Sequence, residues 1–148
     1  MTGWLLDTNV VSEFRRPKPS KKVLAFVAGC RLETLYVSTV TFAEIRFGIE
    51  QVADPKRRAA LSDWLDHTIR PMFDQRVLSV SEDVMLRWRL LVEDGRRRRH
   101  TYSQPDLIIA ATALDHGLVL VTRDASDHAK TGGLIFNPWI DQAPPRAS

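Results

Sequence analysis

Four carboxylates in this chain stand where chemistry can be done. Asp7 closes the short apolar run Trp4-Leu5-Leu6, and Asp124 comes just after the apolar run Leu118-Val119-Leu120-Val121-Thr122. Glu44 follows Thr41 by three residues, and Asp106 follows Ser103 by three. Gathered at one place, such groups repel. Two carboxylates 4 Å apart cost about 1 kcal/mol in water and about 4 kcal/mol at an effective dielectric near 20. They must raise their own pKa values or recruit positive charge. With oxygen donors alone and no matching cysteine–histidine set, a hard ion such as Mg²⁺ or Mn²⁺ suits them. The chemistry implied is in-line hydrolysis of a phosphodiester by a metal-activated water. Each acid also has a plainer reading. Thr41-x-x-Glu44 and Ser103-x-x-Asp106 fit the capping-box pattern at a helix start. Asp7 and Asp124 fit turn positions.

What separates these readings is whether the elements bring the acids together. Trp4-Leu5-Leu6 reads as a buried strand, followed by a helix from about Asn9, a good N-cap residue, that ends before Pro17 and Pro19. Ser20 or Lys21 opens a second helix with Val23, Leu24 and Val27 inward, stopping near Gly29. The β-branched and aromatic run Leu35–Val40 is a strand. From Thr41, Phe42, Ile45, Ile49 and Val52 recur at helical spacing, and another helix follows Pro55 with Leu61, Trp64 and Leu65 inward. Arg76–Val80 is a third strand, and Ser81 caps a helix whose apolar face is Val84, Trp88, Leu91 and Val92. Leu107–Asp115 is a strongly apolar helix stopped at Gly117, Leu118–Thr122 a fourth strand, and Leu134–Phe136 a candidate fifth. Alternation of this kind implies an α/β fold, a parallel sheet of four to five strands with helices on both faces. In such sheets the ligand crevice lies beyond the carboxyl ends of the strands. All four acids are expected at that edge.

Quoted in order, Leu5-Leu6-Asp7-Thr8-Asn9, Ala43-Glu44-Ile45-Arg46-Phe47-Gly48, Pro105-Asp106-Leu107-Ile108-Ile109-Ala110-Ala111 and Val121-Thr122-Arg123-Asp124 resemble the motifs of PIN-domain nucleases. Within that family the chain is similar to the VapC toxins of toxin–antitoxin pairs, in particular the FitB-like branch. The resemblance runs from about Leu5 to Phe136. It implies a PIN-domain sandwich, a Mg²⁺- or Mn²⁺-dependent endoribonuclease, and Asp7, Glu44, Asp106 and Asp124 as its catalytic and metal-holding acids, Glu44 directly or through water. Thr8 and Asn9 would orient a carboxylate or a water. The resemblance further implies a homodimer, an RNA substrate, a cognate antitoxin that crosses the active site, and operator DNA reached only through that antitoxin. One departure stands out. Where the family often has an acid followed by Phe, this chain reads Asp127-His128. Asp127 is an auxiliary metal candidate, and the aromatic's place is taken by an imidazole.

Length and composition fit this reading without selecting it. The chain has 148 residues, is 44% hydrophobic and 26% charged, and carries a formal net charge of +3. A single domain over residues 1–140 with a flexible tail over 141–148 is expected. The one cysteine, Cys30, excludes an internal disulfide and favours a reducing, cytoplasmic setting. No apolar run approaches the roughly 20 residues of a membrane span, and the N-terminus does not read as a secretory signal. Arg96-Arg97-Arg98-Arg99, just before the Asp106 helix, are candidate RNA-phosphate contacts or a solvated helix end. Arg46 is a candidate neighbour of the acids or a surface residue. The four histidines are not expected to bind metal, and the four tryptophans read as core or interface. A phosphoacceptor signalling domain is disfavoured by Asp7-Thr8 and Thr122-Arg123 where such domains carry a second acid and a lysine. A PIN scaffold that binds RNA or a protein without cutting remains the other alternative.

Overall fold

A computed structural model describes residues 3–100 and 103–141. Five strands form one parallel sheet: β1 (Trp4–Leu6), β2 (Leu35–Ser38), β3 (Val77–Leu78), β4 (Val119–Val121) and β5 (Ile135–Phe136). Their spatial order is β3-β2-β1-β4-β5. The chain therefore builds outward from β1 on one side, then returns to build outward on the other. The order reverses between β1 and β4, the position at which an open parallel sheet leaves a crevice.

Period-two alternation sorts the strand residues onto two cores. Leu5 and Leu120, paired in register, turn to one face and pack with Ile109, Ala110 and Ala113 of α7 (Gln104–His116). Leu6, Leu35, Val37, Val119 and Val121 turn to the other face. There they meet Val10 and Val11 of α1 (Thr8–Glu13), Val23 of α2 (Lys21–Gly29) and Phe42, Ile45 and Ile49 of α3 (Thr39–Glu50). Leu65, Ile69 and Phe73 close this larger core. They follow α4 (Pro55–Trp64), a π-helical turn over Leu65–Ile69, and α5 (Arg70–Met72), whose Pro71 cannot donate to the preceding turn. The remaining helices are α6 (Glu82–Arg97) and the short α8 (Ala125–His128). Helices thus cover both faces, as the sequence predicts.

Several boundaries differ from the sequence expectation, each for a local reason. The first helix begins at Thr8, because Asp7 and not Asn9 is its N-cap and accepts the Thr8 N–H at 2.8 Å. The second strand stops at Ser38, whose hydroxyl accepts the Val40 N–H and starts α3 two residues before Thr41. Helix α6 runs through Gly95 to Arg97 instead of ending there. The stop at Gly117 stands: it adopts a left-handed conformation with φ of 65°, which glycine takes without steric cost. Of the tail, residues 142–148 lie outside the described residues.

Candidate metal and catalytic site

The site grows from the end of β1. The ladder to β4 continues one residue past the strand, with the Asp7 N–H donating to the Val121 carbonyl at 2.9 Å. This fixes the Asp7 carboxylate at the carboxyl edge, where it is only 2% exposed. Its Oδ1 accepts the Thr8 N–H, and its Oδ2 accepts the Thr122 hydroxyl at 2.7 Å. Asn9 ties the two strand ends together. Its Nδ2 donates to Asp124 Oδ2 at 3.2 Å and to Asp7 Oδ2 at 3.5 Å, while its Oδ1 accepts the Arg123 N–H at 3.3 Å. The amide spans both acids, so its role is to hold carboxylates, not to cap a helix.

Glu44 arrives from α3. With Ser38 as cap, Glu44 lies in the second turn, beyond the free amides, and the capping-box reading of Thr41-x-x-Glu44 does not hold. Instead its Oε1 accepts the Thr8 hydroxyl at 2.7 Å, and Thr8 also contacts the Thr41 hydroxyl at 3.1 Å. Asp106 does sit at the third position of α7, after N-cap Ser103. Ser103 makes no side-chain cap bond to the helix backbone; its hydroxyl instead favours the charged form of the Asp106 carboxylate. Asp124 occupies the N-cap position of α8, also without a side-chain cap bond.

Electrostatics link Asp106 to Asp7, Asp124 and Asp127. Burial pushes the Asp7 carboxyl up from 3.8 to about 6, with the Thr122 and Thr8 bonds and His128 pulling it back and Asp106 raising it further. Asp106 is also raised, by burial first, then by the charges of Asp124 and Asp127, against the pull of His128 and Ser103. Asp127 is exposed, yet close enough for its charge to reach Asp106. Among the described residues no lysine or arginine forms an ion pair with Asp7, Glu44, Asp106, Asp124 or Asp127. The cluster has surplus negative charge and oxygen donors throughout, and among the described residues the His128 imidazole is the one basic group set against it. That is the donor chemistry of a hard divalent ion. As the side chains lie, no three such groups among the described residues form a ready-made cage, consistent with like charges standing apart.

Two residues here had no assigned role in the sequence reading. Thr122 bonds Asp7 and also accepts the Asp124 N–H at 3.0 Å, so one hydroxyl braces both strand ends. A hydroxyl ending an apolar strand, two residues before an acid, was the available signal. His128 is 1% exposed, with Nε2 3.9 Å from Asp7 Oδ2 and no hydrogen bond at either ring nitrogen. It fills the space of an aromatic. None of the arginine candidates pairs with the acids among the described residues. Arg46 is exposed and lines a depression with Glu50, Asp66 and Arg70 on the α4 side. Arg96 and Arg98, at the end of α6, pair with Glu93 and Asp94 of the same helix.

The PIN domain profile matches residues 4–134. The chain belongs to the PIN domain family. Among curated relatives, Toxin FitB of Neisseria gonorrhoeae is 35% identical, aligned over 93% of this chain and 99% of its own length. VapC ribonuclease Y4jK of Sinorhizobium fredii is 36% identical over 91% of this chain and 96% of its own. The same PIN architecture is seen in the crystal structure of FitAcB from Neisseria gonorrhoeae, at a TM-score of 0.87 and 34% identity, covering 92% of this chain and 98% of that one. The structure of FitAB bound to the IR36 DNA fragment superposes at 0.89 with 32% identity, covering 95% and 98%. In this PIN domain no described helix is long and apolar enough to cross a membrane.

Proposed function

We propose that the chain is a divalent-metal-dependent endoribonuclease and the toxin of a toxin–antitoxin pair. The observation that carries this reading is the cluster of acids at the β1/β4 edge, to which no lysine or arginine pairs among the described residues. Asp7, Asp106 and Asp124 would hold Mg²⁺ or Mn²⁺, with Asp127 as an outer contributor. The ion, when bound, supplies charge neutralisation at the phosphate and lowers the pKa of a water. The chain's own residues do the rest. Asn9 and Thr122 fix the carboxylates of Asp7 and Asp124 relative to each other. Glu44, oriented by Thr8, accepts the proton of the attacking water.

The toxin assignment is supported by relatives named a toxin and a ribonuclease that align over nearly their whole lengths. By the same likeness we infer a cognate antitoxin, a homodimer, operator DNA reached through the antitoxin, and a cytoplasmic place of action. An apolar groove lined by Val40, Ala43, Phe47, Pro105 and Ile108 opens beside Glu44, and Phe47 is 68% exposed. Such a surface suits a protein segment laid next to the acids.

The test is cleavage of a mixed RNA pool by purified, antitoxin-free protein, with Mg²⁺ or Mn²⁺ and with EDTA, comparing wild type with Asp124→Asn. Metal-dependent cleavage lost in the variant is expected. Wild-type protein that binds RNA but cuts none under any metal would establish the non-catalytic scaffold instead.

A further inference from the structure

The acid cluster shares a wall with a cavity of about 390 Å³ lined by Asn9, Arg15, Arg16, Arg57, Arg123 and Trp139. Asn9 is the shared wall, because the same side chain bonds Asp7 and Asp124. Four stretches of chain meet there. Arg15 and Arg16 follow α1, Arg57 lies in α4, Arg123 follows β4, and Trp139 follows β5. Only Arg16 is neutralised: it pairs at 3.2 Å with Glu13, a buried carboxylate that also accepts the Ser20 N–H. Arg15, Arg57 and Arg123 are exposed and pair with no carboxylate among the described residues. The Arg123 guanidinium rests over the Trp139 ring, 5.3 Å from its centroid, which limits its freedom before any ligand arrives.

Glu13, the one acid lining this cavity, is taken up by Arg16; the other three guanidinium groups repel each other, and the ligand that relieves this is an anion they can grip with paired N–H donors. We propose that this cavity binds the phosphate backbone of the RNA strand next to the bond cut at the acid cluster. The inference rests on the ribonuclease reading above and adds where the substrate lies. It also moves the electrostatic grip from the Arg96–Arg99 run, half of which is paired within its own helix, to arginines drawn from separate stretches of the chain. Arg123 adjoins Asp124, so a strand held here enters the acid cluster directly. Trp139 acts as a positioning residue for Arg123.

The experiment uses the full chain and a fluorescein-labelled single-stranded RNA oligonucleotide in EDTA, where binding is read without cleavage. The Arg15→Gln/Arg57→Gln protein should bind at least 10-fold more weakly by anisotropy. Its slope of log affinity against log salt should be shallower by about 1.4, at roughly 0.7 per phosphate contact on a single strand. Arg96→Gln/Arg98→Gln should change affinity by less than about 3-fold. Unchanged melting temperatures establish that both proteins are folded. Wild-type affinity and slope in the first variant, or no RNA binding by wild type, would overturn the proposal. So would displacement of the RNA by a polyglutamate peptide as effectively as by unlabelled RNA, which would give the cavity to an acidic protein segment. Cleavage with Mn²⁺ is measured in parallel. RNA held through these arginines but never cut would sink the ribonuclease reading and leave the subsite standing; cutting with no effect of the arginines would do the reverse.

Discussion

Replacing Asp7 by Asn should make the metal-free fold more stable at neutral pH while removing metal binding. Burial raises the Asp7 carboxyl from 3.8 to about 6, so the folded state holds this proton more tightly than the unfolded chain does. Below about pH 3.8 both states are protonated and nothing is lost. As pH rises toward about 6 the unfolded chain ionises first, and the fold loses stability until both states are ionised. At about 1.4 kcal/mol per unit, the full penalty is about 3 kcal/mol. The Asn side chain carries no charge, keeps an acceptor for the Thr8 N–H, and presents an amide where Thr122 now donates. Losing that bond costs about 1 kcal/mol. The expected net gain is therefore about 2 kcal/mol at about pH 7.5, shrinking to near zero at about pH 4.5. Urea unfolding in EDTA at the two pH values measures it. A variant less stable than wild type at pH 7.5, or a difference that ignores pH, would refute the burial argument. Added Mn²⁺ should then stabilise wild type by mass action and leave the variant unmoved.

Three further changes probe the neighbours of Asp7. Asp106→Asn should abolish metal-dependent cleavage with the fold as stable or more so, since burial and the charges of Asp124 and Asp127 oppose its ionised form; a melting temperature lowered by several degrees would mean that capping is its main task. Thr8→Val removes the 2.7 Å bond to Glu44 and should cut kcat about 10- to 100-fold, with Thr8→Ser near wild type; equal loss in both would exclude the hydroxyl as the cause. In the Asp7→Asn background, where no Asp7 carboxylate faces the imidazole, His128→Phe should raise stability by about 1 kcal/mol, because both buried ring nitrogens lack hydrogen bonds. A drop of that size on calorimetric melting would reveal a bonded partner for the imidazole.

Much of this arrangement was legible in the residues. Apolar runs ending in Asp7 and before Asp124 give strand ends, and strand ends in a parallel sheet share an edge; the paired register of Leu5 with Leu120 realises that expectation. What local patterns could not resolve was competition between caps. Thr41-x-x-Glu44 satisfies the capping pattern, but Ser38 starts the helix earlier because its hydroxyl reaches the Val40 amide. Asn9 looks like a cap for the same reason, and loses that place to Asp7. The arginine cavity was invisible for another cause. Its members come from three separate stretches between Arg15 and Arg123, whereas the conspicuous run Arg96–Arg99 has acids one turn back in Glu93 and Asp94. Charge is read easily from a run and poorly from a convergence.

The bond from Thr122 to Asp7 closes a loop of 115 residues, and the one from Asn9 to Asp124 closes another of 115. During synthesis the first strand emerges long before β4. Until β4 has left the ribosome, β1 has only β2 beside it, and Asp7 lacks the Val121 carbonyl and the Thr122 hydroxyl that hold it. A chain cut short before Thr122 would hold Asp7, Glu44 and Asp106 in its sequence yet assemble none of the edge they share. Activity of the kind proposed would then switch on only as the final fifth or so of the chain is completed, and unfinished copies would be harmless to the cell making them.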